Sequence, residues 1–180
     1  MTTFSWLDWI PAVSAAISLL AFGTAVLAWR TARHNVSTKV LIDMFNEHRS
    51  EHLASARTAV YKRLKECDPK HGIEGLPDDI RTGIRDLAWF YDNLGLLVHH
   101  GVVDIEPVSG YLGGSVQNCW KRLEPFIAAE RAGRSESPDP ERWQVYFELL
   151  DAEVRRTPPE KARLSVPRLR IRRLLWGQNH

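Results

Sequence analysis

The chain has 180 residues, 44% hydrophobic and 26% charged, which excludes wholesale disorder and bounds the protein to one domain with a modest core. Its net charge of +2 is too small to imply nucleic acid, and none is expected as a partner. Two cysteines, Cys67 and Cys119, lie far apart without a CxxC, which excludes a disulfide framework and a thiolate zinc site.

After residues 1–9, read as a short extracytoplasmic N-terminus, comes "IPAVSAAISLLAFGTAVLAW", 20 residues from Ile10 to Trp29 without a charge. At about 1.5 Å per residue this spans roughly 30 Å, the thickness of a hydrocarbon core. Pro11 sits near the helix start, where its missing N–H costs nothing. Trp6, Trp9 and Trp29 flank the run as an interfacial aromatic belt would. A cleaved signal peptide would carry basic residues before a shorter apolar core, whereas residues 1–9 hold only Asp8. Arg30, Arg33 and Lys39 follow the run instead. Residues 10–29 are therefore a predicted transmembrane helix, N-terminus out, with the lipid bilayer as first partner. Small residues four apart, such as Ala12 and Ala16 or Ala21 and Ala25, permit close approach of a second copy.

Residues 30–156 read as a cytoplasmic helical domain. From about Val36 to Cys67 apolar residues recur with helical period, including Leu41, Phe45, Ala56, Val60 and Leu64. "CDPKHGIEGLP" interrupts them with two prolines and two glycines. A second helix starts near Asp78 on the stripe Ile80, Ile84, Leu87, Tyr91, Leu94 and Val98. Trp89 and Leu96 point the other way, which predicts a central helix covered on two sides. Gly101 is its expected stop, with His99 and His100 at the negative end of the dipole. A short turn over Asp104–Leu112 leads to a third helix from about Gly114, which Pro125 is expected to kink or split. Pro140 is expected to open a fourth helix bearing Trp143, Tyr146, Phe147, Leu150 and Val154 on one face. The predicted fold is all-α: a single N-terminal transmembrane helix, then a four- to five-helix cytoplasmic bundle.

One motif carries possible chemistry. "HRSEH", His48 to His52, has the H-x-x-E-H spacing of inverzincin peptidases. On a continuous helix His48 and His52 lie about 40° apart, close enough to share a zinc ion, with Glu51 as general base. That would make a small zinc-dependent hydrolase, its third ligand drawn from Glu106, Glu130, Glu148 or Glu153. Both histidines also fall on the stripe of Leu41, Phe45, Ala56 and Ala59, so packing accounts for them equally, and five residues make an unspecific match. The "DNLG" of Asp92–Gly95, with Asp86, places carboxylates on an apolar helix, where ion pairs with arginines are the expected use. "GYLGGS", Gly110–Ser115, is no phosphate loop. Both cysteines read as packed or bystander thiols.

Residues 157–180 form a basic tail, with Arg168, Arg170, Arg172 and Arg173 alternating with apolar residues in "PRLRIRRLLW". Such arginines gain about 1 kcal/mol each beside an anionic leaflet. Anionic lipid head groups are therefore a candidate partner, and nucleic acid the alternative through the same charges.

The stretch "WFYDNLGLLVHHGVVDIEPVSGYLGGSVQNCWKRLEPFI" from Trp89 to Ile127, with "RWQVYFELL" from Arg142 to Leu150, resembles a prokaryotic family catalogued as domain of unknown function 4760. The resemblance covers roughly residues 36–150 and implies a membrane-anchored small helical protein, here of a prokaryotic inner (cytoplasmic) membrane. It brings no catalytic residues. The functional expectation is a membrane-tethered helical interaction or regulatory module, leaning non-enzymatic, whose partner is another protein or a second copy.

Overall fold

The computed structural model describes the backbone of residues 10–165, and within it the side chains of residues 18–28 and 37–162. Among these residues the regular structure is helical throughout, without a strand, as the sequence predicts. The chain divides into two compact units between Asp43 and Met44, each described by itself below.

The first unit belongs to α1 (Ile10–His48), a helix of 39 residues. Residues 26–48 contain neither proline nor glycine, so nothing ends the helix at Trp29, where the sequence reading placed a boundary. Leu19, Leu20, Phe22 and Leu27 are 65–72% exposed. Among the described residues no helix is long and apolar enough to cross a membrane. Of the predicted span 10–29, the side chains described are those of residues 18–28. Trp6, Trp9 and the side chains of Trp29, Arg30 and Arg33 lie outside the described residues, as do Arg168, Arg170, Arg172 and Arg173.

The second unit contains the end of α1 and five further helices: α2 (Glu51–Lys62), α3 (Asp78–His99), α4 (Ile105–Gly133), α5 (Val145–Arg156) and α6 (Pro159–Ser165). The single helix predicted over 36–67 is broken at Arg49 and Ser50. Ser50 accepts a hydrogen bond from Leu53 N–H at 3.3 Å, capping α2, and Glu51 favours its positive first turn. Between α2 and α3 three short 3₁₀ turns follow each other, pinned by buried Leu64, Ile73 and Leu76. Helix α3 keeps its predicted limits. Gly101 takes φ 65°, and Val102 N–H returns to Leu97 O at 2.9 Å, closing the end as a left-handed cap does.

Three expectations are corrected. Helix α4 runs unbroken through Pro125, which is exposed, and through Gly113 and Gly114. Pro140 opens only a 3₁₀ turn (Pro140–Arg142), and α5 begins later, at Val145. Helix α3 packs against α2 and α5, but among the described residues its Trp89 and Leu96 face is left open: Trp89 is 41% exposed and meets Trp143 edge-on, ring centres 5.0 Å apart. The beginning of the basic tail is ordered against the body. Ser109 donates to Thr157 O, Ala162 is buried, and Pro159 packs where Gly113 leaves room.

Helix α3 is central, packed against both α2 and α5, while α4 packs on α5 and α6. Its junction with α5 is built by two residues of the DNLG stretch. Asp92 Oδ1 accepts from the N–H groups of Tyr146 and Phe147, both at 3.0 Å, and so caps α5 from another helix. Gly95 lets the chain of α5 approach: a Cβ there would press into the carbonyl of Tyr146. Tyr91 stacks on Phe147 beside this junction, centroids 4.8 Å apart. Asp92 therefore bonds two amides directly, with the Arg131 charge favouring its ionised form from farther off, which differs from the expected direct ion pair.

Replacing Gly95 with Ala is expected to lower stability by about 2–3 kcal/mol, because backbone must move to admit the methyl. Asp92→Ala should cost about 2 kcal/mol through two unsatisfied N–H groups. Gly114→Ala, an exposed helical site with nothing within 4 Å of the new Cβ, should gain about 0.5–1 kcal/mol. Chemical denaturation of the three variants checks the order; equal losses at Gly95 and Gly114 would refute the close-approach account.

Candidate functional site

The two histidines of HRSEH part company at the break between α1 and α2. His48, at the end of α1, is buried, and its Nε2 lies 3.2 Å from Tyr91 Oη and 3.4 Å from Ser115 Oγ. His52, in the first turn of α2, is exposed, and its Nε2 bonds Asp86 Oδ2 at 2.9 Å. It borders a cavity of about 220 Å³ between α2 and α3, with Asp79 and Thr82. The 40° phase that brought the pair together assumed one continuous helix. Among the described residues no group of three or more His, Cys, Asp or Glu is arranged to hold a metal ion. Glu51 is exposed on the first turn of α2.

His48 instead belongs to an inward polar cluster contributed by α1, α2, α3 and α4. Ser115 is its hub: its Oγ lies 2.8 Å from Tyr91 Oη and 3.3 Å from Tyr61 Oη. The Cys119 thiol donates to Tyr61 Oη at 3.7 Å. Arg57 Nη1 donates to His48 O at 2.5 Å, satisfying a terminal carbonyl of α1. Burial, then the Arg57 charge, lowers the His48 pKa from 6.5 to about 4. Burial raises the Cys119 thiol and pushes the Tyr91 phenol well above its usual range.

A serine beside a histidine invites comparison with a nucleophile and its base. Here the serine oxygen is shared among three partners. The histidine is a weak base, and its second nitrogen has no carboxylate partner among the described residues. Cys119 is held as the neutral thiol and Tyr91 as the neutral phenol at pH 7. The groups satisfy one another, as a buried polar network must. Cys67, half-buried with its thiol turned to Arg63 O at 3.7 Å, is apart from it.

A second polar locus lies where the sequence offered no motif. A cavity of about 440 Å³ opens beside the α3–α5 junction, walled by Trp89, Leu96 and Trp143, with Asn93 and Gln144 among its polar groups. Trp143 follows a proline turn and Gln144 precedes a helix, positions that carry no chemical signature in sequence. Only the outward phase of Trp89 and Leu96 pointed toward this face.

With fold and clusters in view, the chain matches the family described as Domain of unknown function (DUF4760) over residues 12–151. That span is more than three quarters of the chain, which belongs to this family. No curated protein and no solved structure matches it.

His48 predicts a specific acid response. Its folded pKa lies below its unfolded value, so the unfolded chain binds more protons between those values. Stability present above pH 6.5 is then lost as pH falls toward 4, by about 2 kcal/mol. In His48→Gln the slope over this window should flatten, while neighbouring carboxylates titrate as before. An unchanged slope in urea melts at stepped pH would show that His48 is not responsible. The divergent partners of the two histidines also predict no stoichiometric zinc. Mass spectrometry of the untagged chain checks this: zinc near one per chain, lost in His48→Ala/His52→Ala, would reinstate the hydrolase.

Proposed function

We propose that this protein is a membrane-tethered helical module that works by binding and not by catalysis. The observation that carries the tether is the described part of α1. At about 100° per residue, Leu19, Leu20, Phe22 and Leu27 cover an arc of roughly 160°, the described residues outside it carry no charge either, and all four are largely exposed. Leaving such side chains in water costs about 1.5–3 kcal/mol each. A helix that is apolar on all sides belongs in a core or a bilayer. The uncharged run from Ile10 to Trp29 has the length for the second, and the basic residues after it favour an N-terminus outside and the body inside.

The binding role is supported by where the reactive groups of the body lie. His48, Tyr91 and Cys119 face inward in neutral forms, His48 bonded to Tyr91 and Cys119 to Tyr61, while Trp89, Leu96, Val102, Tyr111 and Leu149 are exposed. Aromatic and aliphatic side chains of that kind serve protein contact more readily than chemistry. In this reading the tail arginines add attraction to the same anionic leaflet.

The expected outcome is that the chain stays in the membrane pellet through alkaline extraction. Leu20→Arg/Phe22→Arg should release it, since each charge in a span costs about 2.5–3.5 kcal/mol. A cytoplasm-active reporter fused at His180 should work and a periplasm-active one should not. Release of the unmutated chain by alkali would end the tether reading; activity of the periplasmic reporter alone would reverse its orientation.

A further inference from the structure

The cations of the body divide into two sets. On α3 and α5 every arginine is ion-paired: Arg81 with Asp78, Arg85 with Glu74, Arg155 with Asp151 and Arg156 with Glu153. Where α2 and α4 adjoin, the pairing stops. Arg57, Lys62, Lys121 and Arg122 have no carboxylate within 4.0 Å among the described residues. The nearest acids along these two helices point elsewhere. Glu124 stands about 160° round α4 from Arg122, and Glu51 about 120° round α2 from Arg57. One face of the body therefore carries positive charge that no neighbour offsets.

The geometry of this face narrows the partner. Tyr61 Oη lies 3.3 Å from Ser115 Oγ, and the Arg122 guanidinium sits over the Tyr61 ring, 5.3 Å from its centre. Arg57 is one turn before Tyr61 on α2. Both guanidinium groups are held through Nη1, Arg57 by His48 O and Arg122 by Asn118 O at 3.0 Å. Their Nε and Nη2 groups have no partner among the described residues. A guanidinium fixed at one nitrogen offers its remaining donors as a rigid fork, which suits a carboxylate. A fluid layer of lipid head groups needs no such fixing, and mobile lysines serve it equally. The Tyr61 ring, 39% exposed, lies between the two charges, and tyrosine with arginine is a pairing enriched at protein contacts. One helical turn advances about 6 Å, close to the ~6.5–7 Å between alternate residues of an extended chain.

We propose that the α2–α4 face around Arg57, Tyr61 and Arg122 docks an extended acidic segment of a partner protein. Carboxylates at alternate positions of that segment pair with the two guanidinium groups, Tyr61 packs between them, and Lys62 and Lys121 add charge at the edges. The inference rests on the binding role proposed above and not on the tether.

Fluorescence anisotropy of the full chain in neutral detergent tests this, with a labelled peptide of alternating glutamate and serine as the probe. The peptide should bind, and its glutamine counterpart should bind about tenfold or more weakly. Arg122→Glu, at an exposed position, should weaken binding about fivefold or more while the thermal midpoint holds. Lys161→Glu makes the same change of charge on α6, away from this face, and should leave affinity within about twofold. Octathymidylate and glycerol phosphate, standing for nucleic acid and for a lipid head group, should displace the peptide about tenfold less well than unlabelled peptide does. Four results would overturn the proposal. They are no anisotropy change at about 0.5 mM chain, equal binding of the glutamine peptide, equal losses in Arg122→Glu and Lys161→Glu, and displacement by either competitor as strong as by the peptide itself. A chain that fails here yet stays in the membrane pellet through alkaline extraction keeps the tether and loses only this face.

Discussion

The body of this protein hangs on one carboxylate. Helix α5 has 12 residues, too few to be stable alone, and the residue before it offers no side-chain cap. Asp92 on α3 supplies the missing acceptor to two of its first amides. Burial raises the Asp92 pKa, and the two N–H bonds oppose that shift, so the charge is kept where the helix dipole rewards it. Gly95, one turn on, has no Cβ to press into the Tyr146 carbonyl and hold the two chains apart. Once α5 is fixed, Phe147 reaches Tyr91 and Trp120, and the aromatic core closes around α3.

The same junction explains what was legible in the sequence. The limits of α3 could be read because its signals are local: Asp78 and Asp79 in the first turn, an unbroken apolar stripe, and Gly101 beyond the end. The all-helical class followed from the same periodicity. The start of α5 could not be read, since its cap comes from 54 and 55 residues away along the chain. Proline at 140 competed as a local signal and lost to that long-range bond. The break at Ser50 was partly visible, because serine followed by glutamate is a helix opening, but the stripe on either side masked it. Pro125 failed as a breaker because it lies on the exposed side of a long helix whose opposite face is buried by α5 and α6.

The site followed a similar division. A motif drew attention to His48 and His52, yet a motif assumes its own backbone, and a two-residue break turned the rings to different partners. The cavity of Trp89 and Gln144 has no motif at all; it exists because a turn, a strained residue and the outer face of α3 converge. Local spacing identifies chemistry only when the spacing and the chain path agree. Where they disagree, the bonding of each side chain decides, and here it makes the histidine cluster a structural interior.

The placement of the two thiols has a practical consequence. Cys67 lies at the edge of a surface turn, whereas Cys119 is buried on α4 within the polar cluster, its thiol held neutral. An alkylating reagent therefore meets two very different barriers within one chain. The first thiol reports reagent access, and the second becomes available only when the packed body opens. Their labelling ratio is an internal clock for the unfolding of this protein, readable in intact cells without any added probe.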